Sequence, residues 1–285
     1  MPALGGLVPD AILWALVIGI GACVGSFLNV CIHRLPRRLS IVRPRSACPA
    51  CGALIAWHDN IPVASWLMLR GRCRACRAPI ALRYPLVEAA TAVFFALLFA
   101  ARGPSLLFVL QAAFGAALIA LILIDARHQI LPNAITLPGI VVGLLSSPWR
   151  GPRGAAGGPA PAPLRDALVG AALGYAMPWL VNASYRGWQA LRRVPRGQRE
   201  DGIGQGDFKL LAMIGSFLGV QLLLFSLFVG ALSGAAFGVA MMLYGGYGWK
   251  SKLPYGVFLG GAALLALFAG AGVVNWYLRL SGLRP

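Results

Sequence analysis

Two carboxylates in this chain stand where carboxylates are costly. Asp207 follows three glycines in five positions, Gly202-Ile203-Gly204-Gln205-Gly206, and opens an apolar segment. Asp125 closes the apolar run 108–124 and precedes Ala126-Arg127-His128-Gln129-Ile130-Leu131-Pro132-Asn133. The chain has only eight acidic residues, and an ionisable group at the end of a membrane helix is a functional hypothesis by default. Two carboxylates held close cannot both ionise cheaply, so they share a proton and titrate together. The ionised one can take a proton from a water as that water attacks a carbonyl, while the protonated one hydrogen-bonds the carbonyl oxygen. Glycines ahead of Asp207 would let an extended substrate approach the backbone closely. Membrane carboxylates also carry protons or ions in transporters, or pair with Lys and Arg to hold helices together. Lys209 and Arg127 are the nearby cations for that last use. Residue chemistry alone leaves all three readings open.

A second constellation lies in the soluble stretch 34–83: Cys48-Pro49-Ala50-Cys51 and Cys73-Arg74-Ala75-Cys76. Two residues between thiolates let both sulfurs of a turn reach one ion, and two such turns complete a tetrahedron. The 21 residues between the pairs slightly exceed the commonest zinc-ribbon gap. The expectation is a closed Zn2+ site with ligands Cys48, Cys51, Cys73 and Cys76. Such a site is structural, folding a loop with too few apolar residues to fold unaided. Unligated thiols or disulfides are the alternative. Cys23 and Cys31 lie inside an apolar run and read as packing residues, and His33, His58 and His128 sit near boundaries without a ligand pattern.

The elements that must position these groups are membrane helices. The chain is 59% hydrophobic and 12% charged, with a mean hydropathy of +0.75, where a soluble domain carries roughly a quarter charged residues. Windows of about 20 apolar residues place candidate spans near 11–33, 84–101, 104–125, 133–149, 165–183, 207–219, 220–244 and 254–278. The sixth is short and the fourth marginal. The first lacks a basic leader and reads as a retained span rather than a cleaved signal. The expected fold is an all-α polytopic membrane protein of about eight transmembrane helices with a small cytoplasmic zinc-binding loop domain. Its divisions would be a first span over 1–33, the loop over 34–83 and a catalytic bundle over 84–285. With the N-terminus outside, 19 of the 25 basic residues fall on the inner side, which places the cysteine loop and both aspartates at the cytoplasmic boundary. The net charge of +17 then reflects this bias and anionic lipid rather than nucleic acid. The Gly/Pro/Ala-rich stretch 151–163 reads as a flexible outer linker, and no internal repeat stands out.

Several motifs in order resemble the prepilin leader peptidases, the GxGD-type aspartic membrane proteases of type IV pilus systems. They are Gly25-Ser26-Phe27-Leu28-Asn29-Val30, Arg34-Leu35-Pro36, the two cysteine pairs, and His58-Asp59-Asn60-Ile61-Pro62 with Trp66. Arg83-Tyr84-Pro85 with Glu88, Ile124-Asp125 with Leu131-Pro132-Asn133, and Gly204-Gln205-Gly206-Asp207-Phe208-Lys209 complete the pattern. The resemblance implies an inner-membrane endopeptidase with Asp125 and Asp207 as its catalytic pair. Such enzymes cut the basic leader from type IV prepilins and type II secretion pseudopilins after a glycine at the cytoplasmic face. It also implies N-methylation of the new terminus with S-adenosylmethionine, although no Gly-rich nucleotide turn is present. A proton- or cation-coupled transporter using the two aspartates is the alternative, and a relative specialised for methylation is a third possibility. The motif at Gly25 would position substrate or let helices approach closely. Glu88 would meet the basic leader or pair with Arg83, and Glu200-Asp201 read as solvated loop charge.

Overall fold

The computed structural model describes residues 9–149, 164–195, 201–245 and 253–282. The expected linker 151–163 and Glu200 lie outside them. The described residues form nine α-helices and no strand, only two isolated bridges. In chain order these are α1 (Asp10–Arg34), α2 (Ala64–Met68), α3 (Arg83–Arg102), α4 (Leu106–His128) and α5 (Asn133–Ser146). There follow α6 (Leu164–Leu191), α7 (Gln205–Gly245), α8 (Tyr255–Leu265) and α9 (Ala271–Leu280). A π-helical turn, Ala266–Gly270, joins α8 to α9. Six of the described helical stretches are long and apolar enough to cross a membrane, and α5 is a shorter apolar helix. The eight apolar segments read from the sequence are all helical, and 207–219 and 220–244 are separate helical arms within α7. They meet at Gly219, whose φ of 74° only glycine adopts without strain. The all-α, polytopic expectation therefore holds.

The chain forms two compact units, Met1–Ala120 and Leu121–Pro285. In the first, α1 packs on α3 through a narrow stripe: Val17, Gly21, Gly25, Leu28 and Ile32 are buried. A Cβ at Gly25 would lie 2.7 Å from Glu88 Cα, and one at Gly21 would lie 2.9 Å from Ala92 Cα. The motif at Gly25 thus serves close helix approach, the use small residues have where no water drives association. Ile12, Leu16, Ile18, Ile20 and Phe27 of α1 are exposed, as suits a helix in lipid.

In the second unit α7 is the central helix, flanked by α5, α6 and α8. Its contact with α6 is backbone on backbone. A Cβ at Gly170 would lie 2.5 Å from Gly215 O, and one at Gly174 would lie 2.4 Å from Leu211 O. This Gly-x-x-x-Gly spacing brings two helices within main-chain contact. On another side, Gly139 and Gly143 of α5 make room for Met213 and Ser216 of α7. The first arm of α7 is consequently locked by buried Leu210, Leu211, Met213 and Ile214. A rigid first arm fixes whatever its first turn carries.

Candidate active site

Asp207 lies in that first turn. Its backbone N–H donates to Gly204 O at 3.0 Å, and its carboxylate accepts the Gly204 N–H in return. This is the side-chain half of a capping box, an aspartate at the third helical position reaching back to the N-cap N–H, with the Gly204 carbonyl standing in for the side chain that glycine lacks. The glycines ahead of it are clamped by Asn182 of α6, which is buried. Asn182 Oδ1 accepts the N–H groups of Gly202 at 2.7 Å and Ile203 at 3.3 Å, and its Nδ2 donates to Ile203 O at 3.3 Å.

Asp125 sits one turn before the end of α4 and is only 5% exposed. The Val257 N–H donates to its Oδ2 at 3.2 Å, and the Gly256 backbone bonds it as well. Gly256 and Val257 are the second and third residues of α8, whose preceding residue, Pro254, offers no side-chain cap. Asp125 thus supplies, from another helix, the carboxylate that an N-cap residue ordinarily provides. Both aspartates occupy the positive ends of helices, where backbone N–H groups and the helix dipole favour negative charge.

The charge of Asp125 bears on Asp207, and that of Asp207 on the Tyr255 phenol. Leu131, in the turn between α4 and α5, joins the two sides. A Cβ at Gly206 would lie 3.0 Å from Leu131 Cβ, and one at Gly256 would lie 3.2 Å from Leu131 Cδ1 and 2.9 Å from Asp125 Oδ2. Glycine is required at 256 because any side chain there would displace the carboxylate.

The pairing with nearby cations does not form. Lys209 Nζ donates to Asn133 Oδ1 at 2.8 Å, and Arg127 is exposed. The ion pairs among the described residues are His58–Asp59, Arg74–Asp59 and Arg186–Asp201, so neither Asp125 nor Asp207 is held by Lys or Arg. Asp201 is therefore partnered by α6 rather than merely solvated. Glu88 forms no ion pair with Arg83 among the described residues: 9% exposed, it accepts the Val63 N–H at 2.7 Å and pins the cysteine loop to α3. Val63 has a positive φ of 59°, a strained backbone for a β-branched residue that this bond helps hold.

The cysteine loop is built from two matching turns. Cys48 N–H donates to Ala53 O and Cys73 N–H to Ala78 O, both at 2.9 Å. Bridges Ala47–Leu54 and Arg72–Pro79 close them, and residues of positive φ, Gly52 and Arg77, follow the second cysteine of each. The two turns are related by an offset of 25 residues, with Ala50, Ala53, Ile55 and Ala56 recurring as Ala75, Ala78, Ile80 and Ala81. All four Sγ atoms lie within 4.8 Å of one another, and Cys48 and Cys76 are 3.8 Å apart. A tetrahedron with metal–sulfur bonds of ~2.3 Å has edges of about 3.8 Å, so the donor set fits Zn2+. The N–H groups of Cys51 and Ala50 lower the pKa of the Cys48 thiol to about 6. Against the Ala78 N–H, the neighbouring Cys51, Cys73 and Cys48 sulfurs raise that of Cys76 to about 11, so the cluster by itself favours thiolate at Cys48 and thiol at Cys76.

Comparison with known proteins follows the same two parts. Residues 20–102 match the Bacterial Peptidase A24 N-terminal domain, and residues 112–239 match the Type IV leader peptidase family. A "Prepilin leader peptidase/N-methyltransferase" of Pseudomonas aeruginosa is 35% identical over 315 residues, covering 100% of both chains. One of the same description from Burkholderia pseudomallei is 38% identical, covering 96% of this chain and 90% of its own. A third, from Myxococcus xanthus, is 41% identical over 79% of this chain, which spans 62% of that relative's length. No solved structure matches the chain.

Proposed function

This chain belongs to the type IV leader peptidase family, and on that premise we propose that Asp125 and Asp207 are its catalytic pair. It is a multi-pass inner-membrane leader peptidase whose substrates are prepilins. The observation that carries the assignment is the convergence of two carboxylates from different helices, each on helix N-terminal N–H groups and neither paired with a cation. The ionised carboxylate removes a proton from a water as its oxygen adds to the scissile carbonyl. The protonated carboxyl hydrogen-bonds the carbonyl oxygen as it becomes an oxyanion. Collapse of the tetrahedral intermediate breaks the C–N bond, and the leaving amine takes a proton from the dyad.

The finer reading is that cleavage occurs at the cytoplasmic face, with the N-terminus of the chain outside, after the glycine that ends a basic leader. A prepilin carries its scissile bond where leader meets apolar helix, which is the depth of the dyad. Pseudopilins share that build and are included as substrates, while lipid surrounds the helices. Cys48, Cys51, Cys73 and Cys76 hold Zn2+, which fixes the two turns of the loop and leaves no open position for substrate. The relatives' names further support N-methylation of the new terminus from S-adenosylmethionine. The described residues have no strand–turn–helix cradle for its nucleotide part. A transporter is not favoured.

The test is co-expression with a prepilin and mass measurement of the mature N-terminus. The expected product begins after the leader glycine and is heavier by one methyl group. Cleavage elsewhere, or none, would overturn the peptidase reading; an unmethylated product would overturn only the methyl transfer.

A further inference from the structure

The segment 37–45, Arg37-Arg38-Leu39-Ser40-Ile41-Val42-Arg43-Pro44-Arg45, takes no part in either site. It follows the C-terminus of α1 and alternates bulky apolar residues with arginines. Its apolar members are turned out: Leu39 is 51%, Ile41 37% and Val42 78% exposed. Arg37, Arg38, Arg43 and Arg45 are exposed too, and none forms an ion pair among the described residues. No acidic residue occurs between Asp10 and Asp59, so the segment has no local counter-charge.

Its position is fixed by the helix it follows. Arg38 adopts a left-handed conformation, φ 57°, that ends the turn after α1, and Leu39 N–H donates back to Arg34 O at 3.1 Å. The Arg34 guanidinium, in the last turn of α1, donates to Ser40 O at 2.9 Å and to Pro44 O at 2.8 Å. Ser40 Oγ in turn accepts the N–H groups of Val42 and Arg43, both at 3.3 Å. Both ends of 40–44 are thereby tied to the end of a membrane-length helix, and the tip at 41–43 cannot leave the level where that helix exits the bilayer. Arg37 Nη1 donates to His33 O at 2.6 Å, which holds its guanidinium beside the end of α1 with the remaining N–H groups available. Apolar side chains there, ringed by guanidiniums without ion pairs, match the acyl–headgroup boundary of a leaflet bearing phosphate charge.

We propose that 37–45 is an interfacial anchor: Leu39, Ile41 and Val42 enter the boundary, and Arg37, Arg38, Arg43 and Arg45 engage the phosphates of anionic lipid. It holds the entrance of the cysteine loop at the membrane surface. The anchor depends on α1 crossing the bilayer and not on the chemistry of the dyad.

The test uses the full chain with a benzophenone amino acid at Val42, reconstituted in vesicles containing phosphatidylglycerol. Matching variants at Leu16, on the exposed face of α1, and at Ala50, in the first cysteine turn, are the positive and negative controls. Irradiation and mass spectrometry are expected to give lipid adducts at 42 and 16 but not at 50. Replacing Arg43 and Arg45 with Glu, or using only phosphatidylcholine, is expected to lower the adduct at 42 on the order of fivefold and leave that at 16 unchanged. Label at Ile41 serves if the Val42 variant does not accumulate. Adducts at 16 with none at 41 or 42, adducts to protein alone, or a yield at 42 indifferent to lipid charge would each overturn the proposal. Prepilin processing by the same variants, if lost while the adducts persist, separates failure of the peptidase reading from failure of the anchor.

Discussion

Asp125 Oδ2 accepts the Val257 N–H at 3.2 Å across 132 residues of chain, capping a helix whose own preceding residue is a proline. The same carboxylate is thus proposed to do chemistry and shown to close α8. This double use separates structural from chemical effects. Asparagine caps a helix about as well as aspartate, whereas alanine costs about 1 kcal/mol, and neither replacement ionises.

Gly256→Ala places a methyl group 2.9 Å from Asp125 Oδ2 and 3.1 Å from its Cγ. The carboxylate must shift, and misplacement of a reacting group by about 1 Å costs on the order of a hundredfold in rate. Leader-peptide kinetics should show a fall in kcat with KM little changed and normal protein accumulation.

Asn182→Ala removes three hydrogen bonds from the segment leading to Asp207. Each bond to these partly buried backbone groups is worth about 0.5–1.5 kcal/mol. The variant should unfold at lower temperature and be cut by protease within 201–204, where the parent resists.

Chelation, or Cys48→Ser, should release bound zinc and expose the stretch 46–81 to trypsin at its arginines. Metal content of the purified protein by mass spectrometry checks the first effect. A protein with no zinc and an unchanged digestion pattern would remove the metal from the account.

Asp59 ties the intervening loop to the second cysteine turn by accepting from Arg74, whose Nε donates at 2.7 Å and Nη2 at 2.6 Å. These bonds hold the Asp59 carboxyl below the usual carboxylate range. A depressed value stabilises the folded loop above the unfolded carboxyl's pKa of about 3.9, and that contribution is lost as pH falls through the lower, folded value. Asp59→Asn should therefore raise tryptic cutting of the loop slightly at pH 7. Arg74 is largely exposed, so the effect is small.

The parts legible in the sequence are those made of rare residue types. Eight acids in 285 residues made Asp125 and Asp207 visible, and paired cysteines made the metal cluster visible, because composition alone marks them. The groups that hold them were not, since Gly256 and Val257 act through backbone N–H groups that any residue but proline carries. Asn182 and Leu131 gave no signal of type or spacing. The Gly170–Gly174 spacing and the offset of 25 residues between the cysteine turns are both present in the sequence, but small residues and short repeats are too common for either to mark a contact by itself. Gly219 explains why the sequence shows two apolar segments there: its left-handed φ and extended ψ end one helical arm and start the next.

The most direct measurement is prepilin processing by Asp125→Asn and Asp207→Asn proteins, each checked for normal accumulation. Asparagine keeps the helix-capping bonds of both sites and removes only the proton chemistry. Each variant is expected to leave the precursor uncut, with a rate lowered at least ~100-fold. Normal processing by either folded variant would contradict the pairing of these two carboxylates as the catalytic centre.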